Sequence, residues 1–162
     1  MSVPFQKTVV VVDAMAFRRA RVKSFLNPWA HNENVELIRS ALEAYNAGPD
    51  AYLEFMAVDI EIRPDASVFT EAKPFRGREE FRRFLAVTEQ DWEGGAKADV
   101  REVFAAGDRV VARTDWGGRG RASGIDLRSN LSAVYDIRDG QIVRIEFYFD
   151  HAKALEAAGL RE

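Results

Sequence analysis

The sequence predicts an α+β fold in which helices cover one face of a strongly bent, mostly antiparallel sheet. The first observation is the order of elements, since almost all helical patterns lie before residue 93 and strand patterns fill residues 98–150. The second is the turn chemistry inside that stretch, at residues 107–108, 117–120 and 139–140. Helices that precede the strands can cover only one face of the sheet. We therefore expect a cone with three or four helices over its concave face, a shape that holds small molecules.

Four long strands are predicted in this stretch, and they cover Ala98–Ala106, Arg109–Gly118, Gly124–Ile137 and Ile142–Phe149. A three-residue loop at 139–141 with a glycine bulge pairs Ala133 with Phe147 and keeps the apolar sets together. A slip of one residue turns every side chain to the other face, so this register is preferred. It places Phe147 and Phe149 on the concave face.

Helical spacing and end signals locate the other elements. The first helix is predicted to start at the N-cap Asn34 and to end at Gly48-Pro49. The remaining predictions are a short helix at about Asp50–Met56, a strand at Asp59–Arg63, a helix at Arg78–Trp92, and a last helix that Asp150 caps and that finishes at Gly159.

Composition excludes several classes of function. The chain has 162 residues, enough for one domain, and its net charge of −3 gives no attraction to nucleic acid or to an anionic membrane. The chain contains no Cys, which removes disulfides, thiol nucleophiles and cysteine metal sites and fits a cytoplasmic location. No cluster of His or carboxylates has ligand spacing, so neither a metal nor a cofactor is expected.

The first 31 residues differ from the rest in charge. They contain five basic residues and one acidic residue, a net of +4, which leaves −7 for the remainder of a chain whose net charge is −3. We predict a poorly ordered extension at residues 1–31 that contributes little to stability, followed by a domain at residues 32–162. An ordered extra element and a targeting segment are the alternatives.

Several segments together share the pattern of a known family: Ala44–Gly48, Val58–Pro64, Phe75–Glu79, Asp139–Val143 and Phe147–Asp150. They resemble the SnoaL-like branch of the nuclear transport factor 2-like superfamily, which includes ketosteroid isomerases and limonene epoxide hydrolases. The resemblance spans about residues 32–160. It implies the cone fold and a homodimer packed through the sheets. It leaves the reaction open, because this superfamily hosts isomerases, cyclases, hydrolases and non-catalytic binders.

The known active sites of the superfamily are mostly missing. The positions of the three catalytic residues of ketosteroid isomerases fall at Ala41, Arg63 and Ala133, none of which can replace them. Of the hydrolase site, the Arg-x-Asp element is matched by Arg113-Thr114-Asp115. The other hydrolase positions hold Phe147, Ile60 and Ile62, so one carboxylate is present where that mechanism needs two.

Arg113 and Asp115 are the catalytic candidates, and as residues two apart on a strand they share a face. On a dry concave face Asp115 would act as a general base, and Arg113 would hold it ionised or bind an oxyanion. On the other face they would form a structural charge pair. The resemblance to the hydrolases favours the first reading, and the apolar set Val110, Ala112 and Trp116 favours the second.

The predicted cavity lining consists of Ile60, Ile62, Phe84, Ser129, Leu131, Phe147 and Phe149. The convex face, with Trp116, Glu146 and Tyr148, is predicted to form the dimer interface. Arg119, Arg121 and Arg128 are interpreted as a solvated rim, with selection of an anionic ligand as the alternative. His151 is interpreted as a surface residue.

Three hypotheses of function follow from these patterns. The first is a cup that binds a small, largely apolar molecule and catalyses a cofactor-free isomerisation, cyclisation or hydrolysis through Asp115. The second is a non-catalytic binding domain with the same pocket, and the third is a protein-interaction module. The position of Asp115 relative to Phe147 and Phe149 distinguishes the first from the second.

Overall fold

The computed structural model describes residues 28–68 and 73–160. In this part of the chain the helices are α1 (Pro28–Ala47), α2 (Pro49–Leu53), α3 (Arg78–Glu89) and α4 (His151–Ala157). The strands are β1 (Met56–Arg63), β2 (Phe75–Arg76), β3 (Lys97–Ala106), β4 (Arg109–Arg119), β5 (Asp126–Arg138) and β6 (Gln141–Tyr148). They form one sheet in the order β2-β1-β6-β5-β4-β3, antiparallel except for β1 beside β6. The α+β prediction is confirmed.

Irregular pairing bends this sheet. A bulge interrupts the β3–β4 ladder between Val100 and Glu102, another interrupts β5–β6 beside Asp136, and the β1–β6 register shifts between Met56 and Glu61. Each bulge adds a residue to one strand and increases the local twist. The sheet therefore curls and presents a concave face.

The main core lies between the concave face and helices α1 to α3. Ile38, Leu42 and Tyr45 bury one stripe of α1, at the helical spacing that the sequence shows. Phe81 of α3 is fully buried and its ring centroid lies 6.0 Å from that of Tyr52 on α2. Helix α4 packs on the opposite face of the sheet, where Ala154 joins a second apolar cluster. Of the four helices in the described ranges, α1, α2 and α3 therefore cover the concave face.

Two predicted helix ends differ from the structure. Helix α1 begins at Pro28, so Asn34 lies inside it and does not cap it. Proline is favoured in a first turn because its missing N–H has no partner there in any case. Helix α3 ends at Glu89, three residues before the predicted Trp92. Tertiary packing sets this end, since the Trp92 ring lies edge-on against Trp116 with centroids 5.5 Å apart.

The predicted boundary at residues 31–32 falls within α1, because this helix includes residues 28–31. The remainder of the predicted extension, residues 1–27, lies outside the described residues. The predicted second helix is also shorter, since α2 ends at Leu53 and β1 already begins at Met56. The apolar residues of this segment contribute to a buried strand.

The β5–β6 hairpin has the predicted pairing of Ala133 with Phe147, but a bulge within β6 produces it in place of a longer loop. Its turn has two residues, Asp139 with φ 52° and Gly140 with φ 72°, so the three-residue loop is wrong. The extra residue lies in β6 instead, where Ile142 pairs with Ile137 and the next pair is Arg144 with Asp136. Beyond this bulge Ala133 pairs with Phe147, as predicted. Burial of both apolar faces determines the register, and the bulge in β6 corrects the one-residue offset that the two-residue turn would otherwise cause.

Candidate functional site

A cavity lies between the concave face and helices α1 to α3. Its empty volume, which includes the open mouth, is about 720 Å³. Its lining comes from helices and strands alike: Leu42, Tyr45, Tyr52, Pro64, Phe84, Leu85, Thr88, Ala98, Ala112, Thr114, Trp116, Leu131, Ala133, Tyr135, Phe147 and Phe149.

Small residues on the strands create this space. Ala98, Ala112 and Ala133 lie on three neighbouring strands, and Ala112 and Ala133 are directly paired across the β4–β5 ladder. Large apolar residues surround them, with Phe147 opposite Ala133 on β6. A larger side chain at Ala133 would extend into the cavity, because side chains at paired positions point to the same face of the sheet.

A chain of hydrogen bonds connects two lining residues to a carboxylate behind them. The indole Nε1 of Trp116 donates to Tyr45 Oη at 2.9 Å, and this hydroxyl donates to Glu89 Oε1 at 2.5 Å. The second carboxylate oxygen of Glu89 accepts the backbone N–H of Ala96 at 2.7 Å. Tyr45, Glu89 and Trp116 come from distant parts of the sequence that only the fold brings together, whereas Ala96 follows Glu89 by seven residues.

The tyrosines of the cavity stay neutral. Burial, and next the hydrogen bond to Glu89, raises the pKa of Tyr45 well above its ordinary value. Burial likewise raises the pKa of Tyr52, and it raises the pKa of Tyr135 to about 12. An ionised phenol would lose hydration that this apolar space does not replace. The cavity therefore presents neutral polar groups on an apolar lining.

The two threonines of the cavity donate their protons to the backbone. Thr114 Oγ1 donates to the carbonyl of Leu131 at 3.0 Å, and Thr88 Oγ1 donates to the carbonyl of Leu85 at 2.9 Å. The lone pairs of both hydroxyl oxygens are left for other partners.

The predicted lining residues divide into three groups. Phe84, Leu131, Phe147 and Phe149 line the cavity. Ile60 and Ile62 are fully buried in the core beside it. Ser129 is exposed near the N-terminal end of β5, close to Leu127, which is 53% exposed.

Arg113 and Asp115 lie on the opposite face of β4 from the cavity. Ala112, Thr114 and Trp116 line the cavity, and alternation along the strand turns the residues between them away. Asp115 accepts a hydrogen bond from Arg101 Nε at 2.6 Å, and Arg113 donates to Asn130 Oδ1 at 2.8 Å. Asp115 therefore shares no cavity with Phe147 and Phe149, the condition on which its catalytic assignment depends.

Trp116 was predicted on the convex face, and the structure places it in the cavity. The reason is again strand parity, since Trp116 pairs with Ser129 on the face that also carries Leu131.

The three arginines around the β4–β5 turn all have partners within the chain. Arg119 pairs with Glu93, and Arg121 donates to the carbonyls of Gln90 and Trp92. Arg128 pairs with Asp99 and Asp126.

His151 contacts the sheet and is only partly exposed. Its Nδ1 lies 2.8 Å from Ser132 Oγ, and its Nε2 lies 3.9 Å from Glu102 Oε2. The order Ser, His, acid is that of a hydrolase triad, but Ser132 is fully buried beneath α4 and does not line the cavity. We interpret the contact as one that docks α4 on the sheet.

Sequence reasoning missed Tyr45 and Glu89. Tyr45 was assigned to the apolar stripe of α1, and Glu89 lies at the end of a helix rich in exposed charges. No local signal connects two residues 44 positions apart. The one available hint was the pair of glycines at 94–95, which lies in the turn after the helix that carries Glu89.

Among the described residues, no His, Asp and Glu side chains gather in a group of three that could hold a metal ion. Within the same ranges, no helix has the length and hydrophobicity needed to cross a membrane.

Comparison with known proteins identifies relatives of this fold. The family model of the SnoaL-like domain matches residues 38–145. A putative SnoaL-like polyketide cyclase from Jannaschia sp. CCS1 superposes with a TM-score of 0.64 at 19% identity, covering 83% of this chain and 96% of that one. TerC, co-crystallised with polyporic acid, gives a TM-score of 0.62 at 22% identity, with coverage of 78% and 98%.

A third relative is a hypothetical protein with a ketosteroid isomerase-like fold from Catenulispora acidiphila DSM 44928, in complex with trimethylamine. It gives a TM-score of 0.61 at 20% identity and covers 77% of this chain and 93% of that one. No curated protein matches the sequence.

Proposed function

This chain belongs to the SnoaL-like domain family, and we propose that it binds a small, largely apolar molecule in the cavity above its sheet. One observation carries the proposal: an open space lined by aromatic and aliphatic side chains with a few polar groups at fixed positions. Pockets of this composition are typical of small-molecule sites.

The relatives support a small-molecule ligand. TerC was co-crystallised with polyporic acid, and the Catenulispora protein was found in complex with trimethylamine. Other relatives are putative polyketide cyclases. Isomerase, cyclase or hydrolase activity stays a prediction for this chain. Asp115, on which that prediction was built, lies on the other face of the sheet, so we propose binding alone.

Filling the cavity tests the proposal. In Ala133→Phe the new ring occupies the space beside Phe147, so we expect an aromatic probe such as β-naphthol to bind at least about tenfold more weakly, a loss of about 1.4 kcal/mol. Isothermal titration calorimetry measures the affinity, and thermal unfolding monitors the fold.

Ala86→Phe is the matched control, because Ala86 is exposed on α3 and the same ring added there lies outside the cavity. It should bind the probe as the wild type does. If Ala133→Phe is folded and keeps wild-type affinity, the ligand does not occupy this cavity.

A further inference from the structure

We propose that the cavity selects ligands carrying a hydroxyl group, a phenol or an alcohol, that donates a hydrogen bond to Tyr45 Oη. This inference rests on the proposed function and names the chemical class of the ligand. Its basis is the chain from Trp116 through Tyr45 to Glu89.

The donor and acceptor in each of these bonds are determined by chemistry. An indole N–H can only donate, and an ionised carboxylate can only accept. Tyr45 must therefore give its proton to Glu89 and take one from Trp116. A phenol oxygen has one proton and two acceptor positions, so one acceptor position is left. Tyr45 thus offers the ligand an acceptor and no donor.

The position of Glu89 is held by the backbone around it. The Ala96 N–H donates to one carboxylate oxygen at 2.7 Å. A Cβ at Gly95 would lie 2.5 Å from the same oxygen, and the φ of +80° at this residue also favours glycine. The turn after α3 therefore leaves room for the carboxylate and keeps it aimed at Tyr45.

Two further hydroxyl groups in the lining also offer a ligand only acceptor positions. Thr88 and Thr114 donate to backbone carbonyls and keep only lone pairs for a ligand. A carbonyl or ether oxygen placed beside Tyr45 would face a lone pair, whereas a hydroxyl would be satisfied.

Three probes of similar shape separate these cases: β-naphthol donates a hydrogen bond, while methyl β-naphthyl ether and β-naphthaldehyde only accept. For the wild type we expect β-naphthol to bind about tenfold more tightly than either of the others in isothermal titration calorimetry. The preference would run against hydrophobicity, since the ether is the more apolar molecule.

Two variants make the test specific. Tyr45→Phe keeps the ring and removes the oxygen, so the three affinities should converge to within about twofold. In Glu89→Gln the Ala96 N–H holds the amide oxygen, and the amide N–H₂ then donates to Tyr45. The Tyr45 proton is turned toward the cavity, so this variant should prefer β-naphthaldehyde. Glu54→Gln makes the same chemical change at an exposed turn and should keep the wild-type order.

The outcomes are distinct because each ratio is measured within one folded variant. A wild type that binds the aldehyde as tightly as the naphthol overturns the inference and leaves the proposed function standing. An unchanged preference in folded Tyr45→Phe also overturns it. A wild type that binds none of the three aromatic probes overturns the proposed function, and this inference with it.

Discussion

Asp65 and Asp115 are carboxylates with different surroundings. Asp115 is one-third exposed and paired with the still more exposed Arg101. Asp65 is 8% exposed, and three donors contact its carboxylate: the backbone N–H of Phe149 at 2.7 Å, and the N–H and hydroxyl of Ser67 at 2.8 and 2.6 Å. Exposed ion pairs contribute little to stability, whereas a buried carboxylate without its donors is costly. Asp65 therefore ties two parts of the cavity wall together, since Pro64 and Phe149 both line it.

Asp65 should make stability depend on pH. Burial by itself would raise the pKa of Asp65, but the hydrogen bonds from Ser67 and from the Phe149 N–H outweigh it and hold the pKa below its ordinary value. A carboxyl with a lowered folded-state pKa stabilises the fold above the unfolded pKa of about 4, and this stabilisation is lost as the pH falls through the folded value.

We therefore expect Asp65→Asn to lower the free energy of unfolding near neutral pH by about 1–3 kcal/mol. The difference from the wild type should shrink as the pH falls below about 4. Urea unfolding at a series of pH values measures it, with Asp108→Asn in an exposed turn as control. A difference that stays constant or grows toward acid pH would contradict this account.

The β5–β6 hairpin shows how an element absorbs conflicting local demands. Asp139-Gly140 forms a two-residue turn with both φ angles positive, the geometry that suits the right-handed twist of the strands. That turn alone would misalign the apolar faces, and the bulge in β6 restores them. The hairpin therefore has both a favourable two-residue turn and buried apolar faces, and one residue of β6 is left unpaired.

Gly140→Ala tests the turn. We expect a loss of about 1 kcal/mol in the free energy of unfolding, the typical penalty for an L-residue in the left-handed region. A Cβ at Gly140 meets nothing within 4 Å, so backbone strain is the whole effect.

Gly117→Ala is the comparison, because a Cβ there would lie 2.1 Å from the carbonyl oxygen of Leu127. Its loss in urea unfolding should be several times larger. Equal losses for the two variants would show that close backbone contact is not what requires glycine at 117.

For the whole molecule, the convex face is the predicted surface of assembly. Helix α4 covers part of it, where Ala154 packs beside Val111 and Val134. The region near β1 and β6 carries a network of charges in which Glu61 pairs with Arg63, Arg76 and Arg144. Paired charges beside an aromatic residue such as Tyr148 suit an interface with a second copy.

We expect the protein to be a homodimer at micromolar concentration, with the mass of two chains in light scattering. Tyr148→Arg should lower this mass, because it adds a charge on the convex face. Val87→Arg places the same charge on the exposed side of α3 and should leave the mass unchanged. Tyr148 also packs against the α4 cluster, so circular dichroism must show that the variant is folded. A monomeric wild type would refute the assembly.

The sequence by itself determined the class of fold, the order of the helices and strands and most of their bounds. It also determined the pairing of Ala133 with Phe147, and four of the residues that line the cavity. These properties follow from periodicity, turn residues and the burial of apolar faces, which act over short stretches of chain. Side-chain parity on β4 was not determined, since the resemblance and the local apolar pattern favoured opposite faces and Trp116 was predicted on the convex face, whereas the structure places it in the cavity.

Only the tertiary structure decided which polar groups meet in the cavity. Tyr45, Glu89 and Trp116 lie on α1, α3 and β4, and their hydrogen bonds span 44 and 71 positions in the chain. The Arg113-Asp115 motif suggested a general base, but the sequence did not show which face of β4 carries it. In the structure, alternation along β4 places both side chains on the face opposite the cavity. Local patterns determine elements because their forces are local, whereas a site depends on how the bent sheet and the helices above it are joined.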